Sequence, residues 1–300
     1  MTTAVAPEAA RTEDTLRRLE LAVNRRLDGL LHGDHDGLLP GAGSEAADGR
    51  LYAPGDDVRR IDWNLTARSG QTHVRDTIAD RELETWLVID GSASLDFGTA
   101  RCEKRDLATA AAAAFGFLTN RAGNRLGALV FDGTSSTLLP PRAGRDATLA
   151  LLHRLDRRPR VDGDGGASLA DAIRRTWLVA RRRGLVVVVS DFLDPSDWAR
   201  ELRAASARHD VVAAHITDPR EASLPPVGLL TLVDPESGRI LEVQTSNRRL
   251  RARYEAAARA QQDAIHAAIR ASGAARLDLS TDRDWLLDVV RHVALRRRRR

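Results

Sequence analysis

The sequence of 300 residues has a single cysteine, Cys102, and few aromatic side chains, which make up 4% of it. One cysteine excludes an intrachain disulfide and a zinc site built from cysteines. No apolar run approaches the roughly 18 to 20 residues of a membrane-spanning helix, and the N-terminus lacks the basic and apolar regions of a secretory signal. We therefore expect a cytoplasmic protein without a membrane span.

An excess of charge of one sign is also lacking over most of the chain. The 46 basic and 42 acidic residues give a net charge of +4, and the last five residues, 296–300, are all arginine. Without this tail the balance would be −1, so no broad cationic surface for nucleic acid is expected. The tail lacks interleaved aromatic residues and is typical of a solvated chain end.

From about residue 80, short apolar segments alternate with helical patterns. The segments ETWLVID, RLGALVFDG, LVVVVSD, DVVAAHITD and ARLDLST have the length and composition of strands. Their alternation with helices predicts an α/β fold with a mostly parallel sheet covered by helices on both faces. SSTLLPP predicts an edge strand, and LLTLVDPESGRILEVQT predicts a β-hairpin.

The patterns divide the chain into three regions. Residues 1–80 form an extension with a helix from Thr15 to about Gly33 and a charged, irregular segment, residues 81–295 form the α/β domain, and residues 296–300 form the arginine tail. Trp63 in the extension is expected to be buried. Five charged residues of the extension form either a partner-docking surface or an internal ion-pair network: Asp56, Asp57, Arg59, Arg60 and Arg68.

Two of the predicted strands end in a carboxylate. Asp90 ends one strand and is followed by Ser92 and Ser94, and Asp191 ends another. Ligands of open parallel sheets bind at the carboxyl ends of the strands, where the strand order reverses. If the two strands are neighbours, the four side chains form one site whose oxygens and two negative charges suit Mg²⁺ or a similar hard cation. A free coordination position on that cation would accept an acidic group from outside.

The spacing Asp90-x-Ser92-x-Ser94, with Asp191 after a later strand, resembles the metal-ion-dependent adhesion site of von Willebrand factor A domains. YAPGDDVRRIDWNLTAR followed by ETWLVIDGSASLDFGTA resembles the signature of the DUF58 family of bacterial proteins, and the resemblance covers roughly residues 41–281. It implies a von Willebrand A-like, Rossmann-like fold and Mg²⁺ or Mn²⁺ at these four residues. Longer relatives have an N-terminal membrane segment and a further β domain, and we expect neither here.

The resemblance also implies partners. It implies that the protein acts together with a MoxR-type AAA+ ATPase in chaperone-like maturation of proteins or assembly of complexes. A client protein would present an acidic residue to the metal. The expected function is therefore that of an adaptor or co-chaperone without catalytic activity.

The sequence departs from the adhesion-site pattern at one ligand. That pattern has a threonine in a second loop after two glycines, and GGASLADAI places Ala167 there. The neighbouring Ser168 replaces the threonine only if the loop shifts locally. Loss of this ligand weakens the metal site, so a degenerate, metal-free interaction domain is an alternative.

Two classes of enzyme are alternatives to a non-catalytic adaptor. A metal-dependent phosphatase would use Asp90 as its nucleophile, but Ser92 stands where such sites need a second acid, and the only lysine, Lys104, begins the next helix instead of lying late in the chain. A serine hydrolase built on Ser92, Asp191 and His215 lacks the strained G-x-S-x-G turn. We expect a non-catalytic protein and keep the phosphatase as the alternative.

Overall fold

A computed structural model describes residues 21, 23, 25, 50–53, 58, 61–74, 83–98, 100–132, 134–160, 167–233 and 239–297 of the chain. The strands, in chain order, are β1 (Arg50–Leu51), β2 (His73–Val74), β3 (Glu84–Asp90), β4 (Arg125–Phe131), β5 (Ser136–Arg142), β6 (Leu185–Ser190), β7 (Asp210–Thr217), β8 (Leu229–Val233), β9 (Ile240–Gln244) and β10 (Ala275–Ser280). The helices are α1 (Trp63–Ser69), α2 (Lys104–Arg121), α3 (Arg145–Asp156), α4 (Leu169–Val179), α5 (Trp198–Ser206), α6 (Pro219–Ala222), α7 (Arg248–Ala271) and α8 (Trp285–Arg297).

Six strands form one sheet in the spatial order β10-β7-β6-β3-β4-β5. Every neighbouring pair is parallel except β4 and β5, because β5 is an antiparallel edge strand. This is the doubly wound order 3-2-1-4-5-6, in which the direction of strand addition reverses between the first and fourth strands. The reversal falls between β3 and β6, so the fold class is confirmed and the two strands that end in aspartates are neighbours.

Helices cover both faces of this sheet, and alternate residues of each strand enter two separate cores. Leu87 and Ile89 of β3 pack on one face with the alanine-rich helix α2, whereas Trp86 and Val88 pack on the other. All seven residues of β3 are buried, as expected for a central strand of a covered parallel sheet. Val23, in the predicted N-terminal helix, is fully buried in the first core.

Several of the predicted helices and strands can be compared with those of the structure. The hairpin is confirmed as β8 and β9, and the SSTLLPP segment is confirmed as the edge strand β5. Helix α4 ends at Val179, because the chain leaves helical geometry at Ala180 (ψ 84°) before entering β6. No helix within the described ranges is long and apolar enough to cross a bilayer.

The expectation for Trp63 was wrong, because this side chain is 70% exposed. The Asp62 carboxylate accepts hydrogen bonds from the backbone N–H groups of Asn64 and Leu65 and so fixes the start of α1 at Trp63. The cap fixes where the helix begins, and the side chain of Trp63 at this first position faces outward. Residues Asp56, Asp57, Arg59 and Arg60 and the end of the arginine tail, 298–300, lie outside the described residues.

Candidate functional site

The carboxyl ends of β3 and β6 lie side by side, and both aspartates are buried there. Asp90 is 1% exposed and Asp191 is 2% exposed. The Asp90 carboxylate accepts a hydrogen bond from the Ser92 backbone N–H (2.8 Å) and another from the Ser190 hydroxyl (2.6 Å). Both of its oxygens are therefore engaged by groups at the ends of the two strands.

The two predicted serines complete the oxygen cluster. The hydroxyl oxygens of Ser92 and Ser94 are 3.1 Å apart, and the Ser94 side chain contributes to the lowered pKa of Asp191. Ser94 belongs to a short 3₁₀ turn, residues 93–96, which directs the chain after β3 back over the strand end. The structure thus brings Asp90, Ser92, Ser94 and Asp191 together.

A buried lysine that the sequence reasoning set aside also lies in this cluster. The Lys104 ammonium is 2.8 Å from an Asp191 carboxylate oxygen and 2.5 Å from a Glu221 carboxylate oxygen, and its side chain is 0% exposed. Its position at the start of the helix after β3 does not keep Lys104 out of the cluster, so the inference that a phosphatase site here would lack its cation was wrong. Lys104 is the first residue of α2, and this helix starts beside the end of β3, so the fold brings it back to the site.

Glu221 reaches the cluster through the cap of a neighbouring helix. Asp218 follows β7 and caps α6, and Glu221 accepts a hydrogen bond from the Asp218 backbone N–H (3.0 Å) while its other oxygen contacts Lys104. This reciprocal pattern is a capping box. The sequence DPRE after an apolar strand was the available signal, since it predicts that the glutamate folds back towards the strand end.

The charges shift the proton affinities of the two aspartates in opposite directions. Burial and the neighbouring Asp191 charge raise the pKa of Asp90 to about 6. Burial also acts to raise the pKa of Asp191, but attraction and hydrogen bonding from Lys104 outweigh it and lower this pKa. Burial disfavours the charged form of Lys104 and so acts to lower its pKa. The carboxylates of Asp191 and Glu221 outweigh this effect and raise the pKa of Lys104, so the ammonium stays protonated.

Ser168, proposed as a weak ligand, lies at the start of α4. Its hydroxyl accepts a hydrogen bond from the Asp171 backbone N–H (3.1 Å) and donates one to the Asp171 carboxylate (2.9 Å). Asp194 and Ser196 accept hydrogen bonds from the backbone N–H groups of Leu169 and Ala170, respectively, at the same helix end. The hydroxyl of Ser168 is thus engaged in a helix cap.

Arg68, the described member of the predicted docking surface, is exposed on α1. Its Nε donates a hydrogen bond to the Asn64 carbonyl oxygen (3.3 Å), one turn earlier in the same helix. The structure therefore leaves its guanidinium at the surface.

The donor chemistry of the cluster fits a divalent cation. All four predicted ligands offer oxygen atoms, which Mg²⁺ and Mn²⁺ prefer. The Lys104 ammonium contacts the carboxylates of Asp191 and Glu221, and the Arg158 guanidinium donates a hydrogen bond to the Asp90 backbone carbonyl oxygen (3.4 Å), so two cations of the chain lie beside the three carboxylates. The ammonium already neutralises part of the charge on Asp191, however, and a metal ion at that carboxylate would compete with it.

The doubly wound strand order and the aspartate–serine cluster at its reversal point define a von Willebrand A-like α/β protein. The sequence profile of the family described as "Protein of unknown function DUF58" matches residues 48–264. The chain belongs to this DUF58 family.

Relatives of the chain include an uncharacterized protein of Mycobacterium tuberculosis, Rv1480. It is 53% identical over 283 residues, which cover 94% of this chain and 89% of that protein. An uncharacterized protein of Mycobacterium avium, MAV169, is 41% identical over 162 residues, covering 54% of this chain and 95% of that protein. These matches show the family and leave the function open.

Among solved structures, the conserved hypothetical protein BatB from Bacteroides thetaiotaomicron is similar to this chain. It has a TM-score of 0.49 and 14% sequence identity, and the match covers 72% of this chain and 99% of BatB. Because this TM-score is below 0.5, the fold assignment rests on the strand order and on the family.

Proposed function

We propose that this chain is a non-catalytic protein-interaction module whose partner docks at the carboxyl ends of β3 and β6. The observation that carries the proposal is the convergence of Asp90, Asp191 and the two serine hydroxyls at the reversal point of the sheet. This is the position at which open α/β sheets bind their ligands. Ser92 is partly exposed and gives the cluster an opening to the surface.

A divalent metal ion assists this interaction in our proposal. Asp90, Ser92, Ser94 and Asp191 would hold Mg²⁺ or Mn²⁺, and bound metal would supply a coordination position for a partner's carboxylate. Metal affinity should be low, since Lys104 competes for Asp191 and Ala167 replaces a threonine ligand. Metal binding and partner binding are therefore coupled, with the partner's acidic residue providing the missing negative charge.

The proposed partners are a MoxR-type AAA+ ATPase and a client protein with an acidic residue. Support for the ATPase is the family membership of the chain and the resemblance from which that partnership was inferred. Support for an acidic client group is the metal expected at Asp90 and Asp191, whose free coordination position would take a carboxylate. The protein would then act as an adaptor or co-chaperone in maturation or complex assembly.

The geometry around Asp90 favours this function over the phosphatase. A carboxylate nucleophile must reach the substrate, whereas Asp90 is 1% exposed and both its oxygens accept hydrogen bonds. Lys104 is fully buried between two carboxylates and is not placed at the surface to receive a phosphoryl group.

Calorimetric titration with Mn²⁺ tests the metal-assisted site. Wild type should bind weakly, Asp90→Ala should show no binding at this site, and Asp132→Asn should behave as wild type. Asp132 is the matched control because it follows the neighbouring strand β4 but its carboxylate accepts hydrogen bonds within its own turn, from Thr134 and Ser135. Equal binding by Asp90→Ala and wild type would contradict the site.

Affinity purification from a native extract tests the interaction itself. Wild type, Asp90→Ala and Asp132→Asn would be compared for retention of the MoxR-type ATPase, and loss in Asp90→Ala alone is expected. Turnover of a general phosphatase substrate that depends on Asp90 and Mg²⁺ would instead establish the enzyme and overturn the proposal.

A further inference from the structure

A second polar cluster lies at the other side of β6, outside the site described above. His215 of β7 is the register partner of Asp278 on the edge strand β10, so their side chains project from the same face of the sheet. His266 projects from α7, which packs against that face. Two imidazoles and one carboxylate from three different elements therefore meet at one point.

The spacing of the three donor atoms matches that of ligands around a small metal ion. His215 Nδ1 and His266 Nε2 share a hydrogen bond (3.2 Å), which a bound ion would replace once the proton moves to the other nitrogen of its ring. His266 Nε2 is 3.6 Å from Asp278 Oδ1, and His215 Nδ1 is 3.9 Å from the same oxygen. A point equidistant from the corners of this triangle lies ~2.1 Å from each atom, which is the bond length of zinc to histidine nitrogen and carboxylate oxygen.

We propose that His215, His266 and Asp278 form a zinc site with its fourth coordination position open to water. Nitrogen and oxygen donors of this kind suit Zn²⁺ better than Mg²⁺. The side chain of Asp278 is 48% exposed and that of His266 is 25% exposed, so an ion enters from solvent. His215 is 3% exposed and forms the inner wall of the site.

The surroundings hold the ligands in place. The other oxygen of the Asp278 carboxylate forms an ion pair with Arg276 Nε (3.0 Å), which favours an orientation with the first oxygen towards the metal. The Phe192 ring packs edge-on against His215 at 6.0 Å between centroids. A bound ion would connect α7 to strands β7 and β10.

The protonation states are compatible with metal binding. Burial lowers the pKa of His215 to about 4 and also lowers the pKa of His266. Both rings are therefore neutral at pH 7, as histidine ligands must be. The other charges acting on the two rings are Asp191, Asp263 and Asp278, which favour their protonation, and Arg270 and Arg276, which oppose it and repel a cation.

Zn²⁺ titration of the metal-free full chain tests this proposal, with Co²⁺ absorption as a second readout. Wild type should bind one Zn²⁺ and show the visible absorption of four-coordinate Co²⁺. Asp278→Asn and His266→Gln should each bind at least about tenfold more weakly. Asp263→Asn, one helical turn before His266 on the same exposed side of α7, removes a nearby charge without removing a ligand and should bind as wild type does.

The outcomes separate this site from the one at Asp90. Asp90→Ala should retain the Zn²⁺ affinity of wild type, since it changes neither imidazole nor Asp278. Absence of Zn²⁺ binding in wild type would overturn the proposal, as would wild-type affinity in Asp278→Asn or His266→Gln. Asp278 and His266 are both partly exposed, so if one variant fails to fold, the other gives the same measurement.

Discussion

The Lys104 ammonium lies 2.8 Å from the Asp191 carboxylate, although the two residues are 87 positions apart in sequence. Both side chains are almost completely buried, at 0% and 3% exposure. A cation that belongs to the chain itself therefore occupies part of the oxygen cluster at the end of β6. This ion pair determines what a metal ion or a partner would have to displace.

Replacing the lysine should destabilise the protein strongly. Lys104→Met leaves Asp191 and Glu221 without their cation, and breaking a buried pair in this way costs about 3–5 kcal/mol. Urea unfolding would measure the loss. The double variant Lys104→Met/Asp191→Asn should recover much of it, because no unpaired charge then remains at Asp191. A double variant no more stable than the single one would argue against the pair as the cause.

The same single variant should bind divalent metal more tightly. Without the ammonium, the two carboxylates have no internal counter-ion, so Mg²⁺ should raise the thermal unfolding midpoint of Lys104→Met more than that of wild type. Glu221→Gln is the matched control, since it removes one negative charge and keeps the lysine. An equal Mg²⁺ response in all three proteins would contradict competition between the lysine and metal.

Asp90 should make stability depend on pH. Its pKa is raised from 3.8 to about 6 on folding, so its contribution to stability is fully present below pH 3.8 and is lost as the pH rises through about 6. Relative to Asp90→Asn, wild type should therefore gain about 2 kcal/mol between pH 7 and pH 4. Urea unfolding of both proteins in a chelating buffer measures the difference. A pH-independent difference would show that Asp90 titrates normally.

Ser168 should affect stability and leave metal binding unchanged. Ser168→Ala removes the side chain that caps α4 and should cost about 1 kcal/mol in the free energy of unfolding. The Mn²⁺ titration of this variant should match that of wild type, because the hydroxyl is bonded to Asp171. Weaker binding by Ser168→Ala would assign this serine to the metal instead.

Ala167→Thr should tighten Mn²⁺ binding in the same titration if the loop can supply the lost ligand.

Gly184 should not tolerate a side chain. A Cβ at this position would press against the carbonyl oxygen of Glu84, which is backbone and cannot move aside without disturbing β3. Gly184→Ala should therefore lower stability by about 1–3 kcal/mol. Arg183→Ala, at the exposed neighbouring position, should change it by less than about 0.5 kcal/mol. Denaturant unfolding of the two variants compares them.

The sequence predicted the elements of the fold because their periodicity and composition are local properties. β3, β6 and the hairpin β8–β9 could be recognised from apolar runs and turn residues, and the convergence of Asp90 and Asp191 followed from one rule about parallel sheets. That rule brings the two aspartates together only if their strands are neighbours, and the order of strands in a sheet cannot be read from the sequence alone.

Other features required three-dimensional information. The position of Lys104 depends on where α2 begins relative to the end of β3, and a residue that looks like an ordinary helix start becomes fully buried. The meeting of His215, His266 and Asp278 depends on β10 pairing with β7 and on the packing of α7, over more than 60 residues of chain. Trp63 shows the opposite error, since a large apolar side chain that was expected to be buried is exposed at the start of its helix.

The edge strand β5 carries Pro140 and Pro141 where its register with β4 shifts. Neither proline has a backbone N–H, so a strand of another molecule cannot form a continuous row of hydrogen bonds along this edge of the sheet. Strand-by-strand stacking into a filament requires two open rims on every subunit. Even if the opposite edge at β10 paired with another copy, growth through the six-stranded sheet would therefore stop at two chains.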